Sequence, residues 1–379
     1  MQRFFNSAWY RGFLLCCAYV VVAAAVMNGF YTKWRLNDGH AALGLAQMVE
    51  GTAYRPYVYR QLLPALANGI QALLPAATVA RLSERLAEPR RVNSRSGLAM
   101  RYPASEALVP AVTLRYHLVY YLTFAALLTS LFVMRRVSLH AGAGAVAATI
   151  APALLTLMVP FFLTEGGYFY DFVELMFLMS AVLLAMGASR QTPMRLFALV
   201  ALAGLATWNK EACFFFTPAL YPILRRNFSR LQAAGVVAVL LLVCGCVYLA
   251  LRMRYADNLG STADFQLWDN LRFYIDPGNW MRTESTYGVL LPRGFSLVSI
   301  LVIAGVAING WPCLPEPLRR HALLALAINA PLFLIFCSPG EMRNLSMLYP
   351  SLLCLLAVAL SKWLSPPPSP KPAADVEVR

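Results

Sequence analysis

"FLLCCAYVVVAAAVMNGFY", Phe13 to Tyr31, runs for nineteen residues without a charged side chain. As an α-helix it would extend about 28 Å, close to the ~30 Å hydrocarbon core of a bilayer. It has no small-residue cleavage site, so it reads as a retained span and not as a removable signal peptide. Working outward, comparable apolar runs recur at 115–134, 141–163, 172–188, 196–208, 212–224, 231–250, 295–310, 321–337 and 345–363. Hydrophobic residues make up 59% of the 379-residue chain and charged ones 13%, where a soluble domain carries about a quarter. The expected fold is all-α: a polytopic membrane protein of about ten transmembrane helices. One integral membrane domain covers 1–364, and a Pro-rich tail, 365–379, is expected to be disordered. The fifth and sixth runs are short and flank "TWNKEA". They are either two short helices or one broken span, and the second option reverses the parity of everything after them.

The net charge is +14. In a soluble chain that would point to nucleic acid; here arginine in short loops explains it, and no nucleic-acid partner is expected. Arg3, Arg11, Arg135, Arg136, Arg190, Arg195, Arg225, Arg226, Arg230, Arg319, Arg320 and Lys362 all fall on one side of a ten-span layout. The positive-inside rule makes that side cytoplasmic, with both termini. Two long loops, about 32–114 and 251–294, then lie outside, and juxtamembrane helices are expected in them. The loops at 164–171, 208–212 and 337–344 join them there. Cysteines 16, 17, 213, 244, 246, 313, 337 and 354 lie in or beside apolar runs, so no disulfide framework is expected. There is no P-loop, dinucleotide fingerprint, H-E-x-x-H or G-x-S-x-G. No internal repeat supports a transporter built from two related halves.

The charged residues of the external face are the candidate site. Asp38, in "LNDGHAALGLAQMVEG", follows the first span directly. It reads as a carboxylate able to take a proton from a substrate hydroxyl. Alternatively, Asn37 or Asp38 caps a helix through Glu50 that Gly51 closes. His40 reads as a surface imidazole, with no spacing for a metal. "YRPYVYRQLLP" places Tyr59 and Arg60 ahead of an apolar helix, where a guanidinium can hold a lipid-linked phosphate with two hydrogen bonds. In "TEGGYFYDFVELMF", Asp171 and Glu174 are three apart and share a helix face. Glu174 lies about one turn inside the apolar run, where a carboxylate is costly without use or a partner. "WNKEA" carries Lys210 and Glu211, either a solvated hairpin tip or a pair of charges sunk toward the bilayer. "SPGEMRNLSMLYP" carries Glu341 and Arg343, and Arg343 enters an apolar helix as Arg60 does. The second long loop mixes Asp257, Asp264, Asp269, Asp276 and Glu284 with Trp and Tyr, a composition that suits carbohydrate and also suits an interface.

This layout resembles the GT-C superfamily of polytopic membrane glycosyltransferases, and "YRPYVYRQLLP", "NKEA" and "GEMRNLSMLYP" look like tracts of a poorly characterised bacterial branch of such proteins. The resemblance implies an enzyme of the bacterial inner membrane that takes a sugar from a polyprenyl-phosphate carrier. Its partners would be that lipid-linked sugar, membrane lipids and a glycan or lipid acceptor. The family places a catalytic acid shortly after the first span, and Asp38 stands there, although "NDGH" offers one acid where the family often has two. By that analogy Asp38 is the base of an inverting transfer, with Asp171 and Glu174 as further acids. Arg60, Lys210 and Arg343 would stabilise the departing phosphate, with Glu211, Glu341, Tyr59 and His40 in support. The donor is already lipid-linked, so no cofactor is required; the sequence leaves a divalent metal undetermined. A transporter or flippase for a lipid-linked or anionic substrate is the competing class, and a non-catalytic partner in polysaccharide assembly is a third.

Overall fold

A computed structural model of the chain describes residues 8–87, 105–189, 191–261 and 263–365. Arg3, Glu88, Arg190 and all of the tail beyond Ser365 lie outside the described residues. The protein is helical and multi-pass in character. Among the described residues seven helices are long and apolar enough to cross a membrane: α1 (Ala8–Trp34), α5 (Pro110–His140), α6 (Ala145–Phe162), α7 (Phe169–Gly187), α11 (Arg230–Arg254), α14 (Glu316–Phe336) and α15 (Tyr349–Leu364, entered through the 3₁₀ turn Met342–Leu348). Between them come α2 (Leu45–Glu50), α3 (Leu62–Ala72), α4 (Ala76–Ala87), α8 (Pro193–Asn209), α9 (Ala212–Phe216), α10 (Tyr221–Leu224), α12 (Leu267–Ile275) and α13 (Leu297–Gly310). All ten apolar runs are therefore helical. α8, α9–α10 and α13 fall short of a full crossing length.

The two short runs around "TWNKEA" are antiparallel. The Arg195 guanidinium at the start of α8 donates to Gly187 O, and Asn227 just past α10 donates to Ala188 O. Both far ends thus meet the end of α7, while Lys210 at the tip meets Asp171 at the start of α7. The tip closes a hairpin and does not interrupt a single span. Pro218 and Pro222 remove helix donors, and a 3₁₀ turn, Thr217–Leu220, separates α9 from α10. The thirteen residues from Ala212 rise only about 20 Å, short of a full crossing.

Hydrogen bonds gather the expected external connections at one end of the bundle. Trp34 Nε1 donates to Leu163 O, Asn37 Nδ2 to Gly167 O, Gln61 N to Trp208 O, Asn258 Nδ2 to Gly51 O and Gly340 N to Tyr274 Oη. At the opposite end Gly144 N donates to Ser361 Oγ. α7 lies at the centre, packed on α5 and α8, with Phe169, Tyr170, Phe172 and Leu178 fully buried.

Two expectations change. The all-α fold gains a small antiparallel hairpin, β1 (Thr283–Thr286) and β2 (Val289–Pro292). Its turn residues, Tyr287 and Gly288, have φ of 58° and 80°, the two positive values that a type I′ turn needs. Asn37 and Asp38 do not cap a helix through Glu50. That helix, α2, starts at Leu45 after Gly44, because 37–43 form successive turns; Gly51 closes it at φ 74° as expected. Its first-turn donor Ala46 N, and Gly39 N, are taken by the Glu106 carboxylate from across the loop.

Gly310 fixes how closely α13 approaches α15, since a Cβ there would lie 2.5 Å from Leu355 O. Gly310→Ala should cost about 1–3 kcal/mol through overpacking. Thermal unfolding of the detergent-purified protein checks this, and an unchanged melting temperature would mean that the helices are free to part.

Candidate functional site

The site is built where α7, the α8–α9 tip and the entry to α15 converge. Gly166 and Gly167 bring the chain onto α7. At Gly167 a Cβ would lie 2.4 Å from Trp34 Cδ1, so only glycine lets the loop cross that indole. Tyr168 is still extended, and its N–H donates to Asp171 Oδ2 at 3.1 Å, which caps the helix with an acid. Asp171 Oδ1 and Glu174 Oε2, one turn apart on the same face, both accept from Lys210 Nζ, at 3.2 and 2.6 Å. Asn344 Oδ1 takes the third ammonium donor at 3.4 Å, and Ser346 Oγ donates to Glu174 Oε1 at 2.6 Å. Arg343 Nη1 donates to Asp171 at 3.1 Å, and its Nη2 donates to Glu341.

Arg60 closes the other side. Its Nη2 and Nε donate to the two oxygens of Glu211, at 2.8 and 3.4 Å, and its Nη1 donates to Tyr170 Oη. A stack of phenol rings, Tyr57 on Tyr168 on Tyr170 with centroids 5.7 and 4.9 Å apart, fills the space between the two arginines. The Arg343 guanidinium lies 4.5 Å over Tyr168, and that of Arg60 lies 4.7 Å over Tyr170, both within cation–π range. Seven sequence-selected residues thus come together: Arg60, Asp171, Glu174, Lys210, Glu211, Glu341 and Arg343. Adjacent Lys210 and Glu211 serve different partners: Lys210 is buried, and Glu211, its side chain 28% exposed, is held by Arg60.

Arg60, Glu174, Lys210 and Arg343 are 7, 4, 4 and 5% exposed. Charges so deep survive only when paired. Burial works against the Lys210 ammonium, but Glu174 and Asp171 outweigh it and raise its pKa above the ordinary lysine range. Burial likewise works against the Glu211 carboxylate. The charge and hydrogen bonds of Arg60 outweigh that and hold Glu211 at about 2. One donor is left over: Arg343 Nε is buried without an acceptor. A Cβ on Gly166 would lie 3.7 Å from it, so the glycine keeps that approach open.

Asp38 lies apart from this network. Its Oδ2 accepts from Ser105 Oγ at 2.5 Å and its Oδ1 from Tyr116 Oη at 2.8 Å, and Tyr116 is in turn bonded to Tyr31 Oη at 2.8 Å. The link to the cluster runs through the neighbouring Asn37, which reaches Gly167 O. His40 is exposed, and its Nδ1 accepts from Ala42 N in a local turn. Tyr59 is buried and enters none of the cluster's hydrogen bonds. The acids of the second long loop do local work: Asp264 holds Ser261, Asp276 caps a turn, and Glu284 pairs with Lys33 and Arg293. Among the described residues no group of three or more His, Cys, Asp or Glu side chains is arranged to hold a metal ion, and all eight cysteines are free.

Sequence reading passed over Tyr168 and Tyr170, which stand two apart and would diverge on a helix. Because Tyr168 is extended, the two rings share a side. Ser105, Tyr116 and Ser346 carried no signal at all; each is a hydroxyl brought to a carboxylate by tertiary packing.

No protein-family model matches the chain, and neither a curated protein nor a solved structure matches it.

Two outcomes are expected. Lys210→Met strands Glu174 and should cost about 3–5 kcal/mol, read as loss of folded yield and of melting temperature, with partial recovery in Lys210→Met/Glu174→Gln. Wild-type melting behaviour in the single variant would remove the ammonium from the centre of the network. For Glu211 the folded pKa is below its ordinary 4.5, so its contribution is complete above about pH 4.5 and is lost as pH falls toward 2. The melting-temperature gap between wild type and Glu211→Gln should shrink across that window; a gap independent of pH would contradict the pairing.

Proposed function

We propose that the chain is a membrane glycosyltransferase that moves a sugar from a polyprenyl-phosphate donor to an envelope glycan or lipid acceptor. The reaction would take place at the loop-bearing end of the bundle, which the arginine pattern makes the external face of a ten-span protein with both termini cytoplasmic. A bacterial inner membrane is the matching location. The layout's resemblance to GT-C enzymes gives this reading its reaction type.

The observation that carries it is the two-sided segment Met342–Leu348. On one side it presents Arg343, whose Nε–H has no acceptor, to the charged cluster. On the other, Met342, Leu345 and Leu348 line an apolar cavity of about 290 Å³ with Trp311, Leu326 and Leu352. A cation beside a cavity whose walls are apolar apart from Tyr349 and Ser351 suits a phosphate with a hydrocarbon tail. Arg60 and Lys210 spend their donors inside the protein, so in this reading Arg343 touches the leaving phosphate and the other two hold its surroundings in place.

Asp38 is the base. Ser105 and Tyr116 occupy two of the roughly four acceptor sites of its carboxylate, which leaves capacity for the acceptor hydroxyl's proton. As the acceptor oxygen bonds to the anomeric carbon, the bond to the phosphate oxygen breaks. The proton passes to Asp38, the phosphate keeps the electron pair, and the anomeric centre inverts. A transporter is disfavoured because the four buried, ion-paired charges gather at one end of the bundle.

The test is transfer from radiolabelled polyprenyl-phosphate sugars in proteoliposomes. Asp38→Asn should fold normally and transfer at least about a hundredfold more slowly. Arg343→Lys keeps the charge but loses the planar donor set and should also be impaired. Near wild-type transfer by Asp38→Asn would pass the role to Asp171 or Glu174. Translocation of the lipid-linked sugar without transfer would favour the flippase.

A further inference from the structure

A second cavity, of about 490 Å³, opens at the same end of the bundle and is lined by none of the cluster residues. Its walls come from α2, α3 and the ends of α8 and α11, and its volume is that of an ordinary ligand pocket. Trp208 and Tyr255 supply aromatic faces. Glu50 and Arg254 are exposed at the rim, and Gln61 and Asn68 line the wall. Gly51, at φ 74°, lets the Tyr255 ring lie close, since a Cβ there would be 3.4 Å from Tyr255 Cε1. Among the described residues the Trp208 indole N–H, the Tyr255 hydroxyl and the Arg254 guanidinium have no hydrogen-bond or carboxylate partner, and Arg254 lies 5.4 Å over the Tyr255 ring.

We propose that this pocket binds a neutral saccharide. Ring faces stack on Trp208 and Tyr255, and the unpartnered donors and the Glu50 carboxylate meet sugar hydroxyls. One acid and one base at the rim leave no net charge to select an anion. Among the described residues Glu50 has only Arg115 as an ionic neighbour, at 3.9 Å, so it retains acceptor capacity.

Position gives the pocket its role. Gln61 and Trp208 line it, Gln61 N donates to Trp208 O at 3.1 Å, and the next residues along the two strands of chain are Arg60 and, two further on, Lys210. A saccharide there would rest against the wall that holds the charged cluster, which makes it the subsite of a glycan acceptor. That assignment rests on the transferase reading; saccharide binding itself does not.

The experiment is equilibrium binding to the full chain in nanodiscs, read by tryptophan fluorescence and calorimetry. The probes are glucose, galactose, mannose, N-acetylglucosamine and their β-linked disaccharides, with inorganic phosphate and glycerol 3-phosphate as anionic competitors. At least one saccharide should bind, and Glu50→Gln, Arg254→Gln and Trp208→Leu should each weaken it by tenfold or more. The first two change exposed side chains and should leave folding intact. No binding by any saccharide, binding unaffected by all three variants, or preference for the anions would overturn the proposal. Saccharide binding without any transfer from lipid-linked donors would instead leave the pocket standing and defeat the transferase reading.

Discussion

The ammonium of Lys210 between the carboxylates of Asp171 and Glu174 is the constraint around which the site is arranged. A lysine at the tip of a short hairpin has been carried into a helical bundle, and a buried unpaired charge costs several kcal/mol even after relaxation. The hairpin must therefore stop beside the first turn of α7, and α7 must place both acids on one face. Asn344 and Ser346 complete the ammonium and Glu174, so the entry to α15 is fixed by the same contact. Three connections far apart in sequence are thereby tied at one point.

Around that point the charges do not balance. Arg60, Lys210 and Arg343 face Asp171, Glu174, Glu211 and Glu341, three cations against four carboxylates. The cluster as a whole does not attract an anion. What it offers is direction: both guanidinium groups are held against a stack of tyrosines, and Arg343 has one donor unspent. A phosphate placed there meets an oriented hydrogen bond in a region of otherwise negative charge.

Much of the architecture could be read from the chain. Each of the ten apolar runs falls on a helical segment, with ends that differ by up to six residues, because span length and apolarity are local properties. Spacing put Asp171 and Glu174 on one face for the same reason. Pairing was another matter. Glu174 and Arg343 are far apart in sequence, and nothing local says that Glu174 takes Lys210 while Arg343 takes Asp171 and Glu341. The capping alternative for Asp38 failed because residues 37–43 prefer a chain of tight turns, and the first-turn donor that would have needed a cap is met by Glu106 from the far end of the loop. The parity of "TWNKEA" was undecidable from hydropathy. Two hydrogen bonds at the opposite end, to Gly187 and Ala188, decide it.

The distribution of polarity along the bundle bears on mechanism more than any single pair does. Toward the other end, the buried polar side chains are mainly hydroxyls bonded to their own helices: Thr123 to Val119 O, Ser130 to Leu127 O and Ser138 to Met134 O. Such hydroxyls satisfy themselves and provide no coordination for an ion in transit. His321 is a buried imidazole among the described residues; its Nδ1 lies 2.6 Å from Ala219 O and Nε2 has no partner. A lone imidazole is not a relay, because proton or ion movement needs successive groups within hydrogen-bond reach. Charge confined to one end, with an apolar cavity beside it and a polar pocket behind it, favours chemistry at a membrane surface over passage through the membrane.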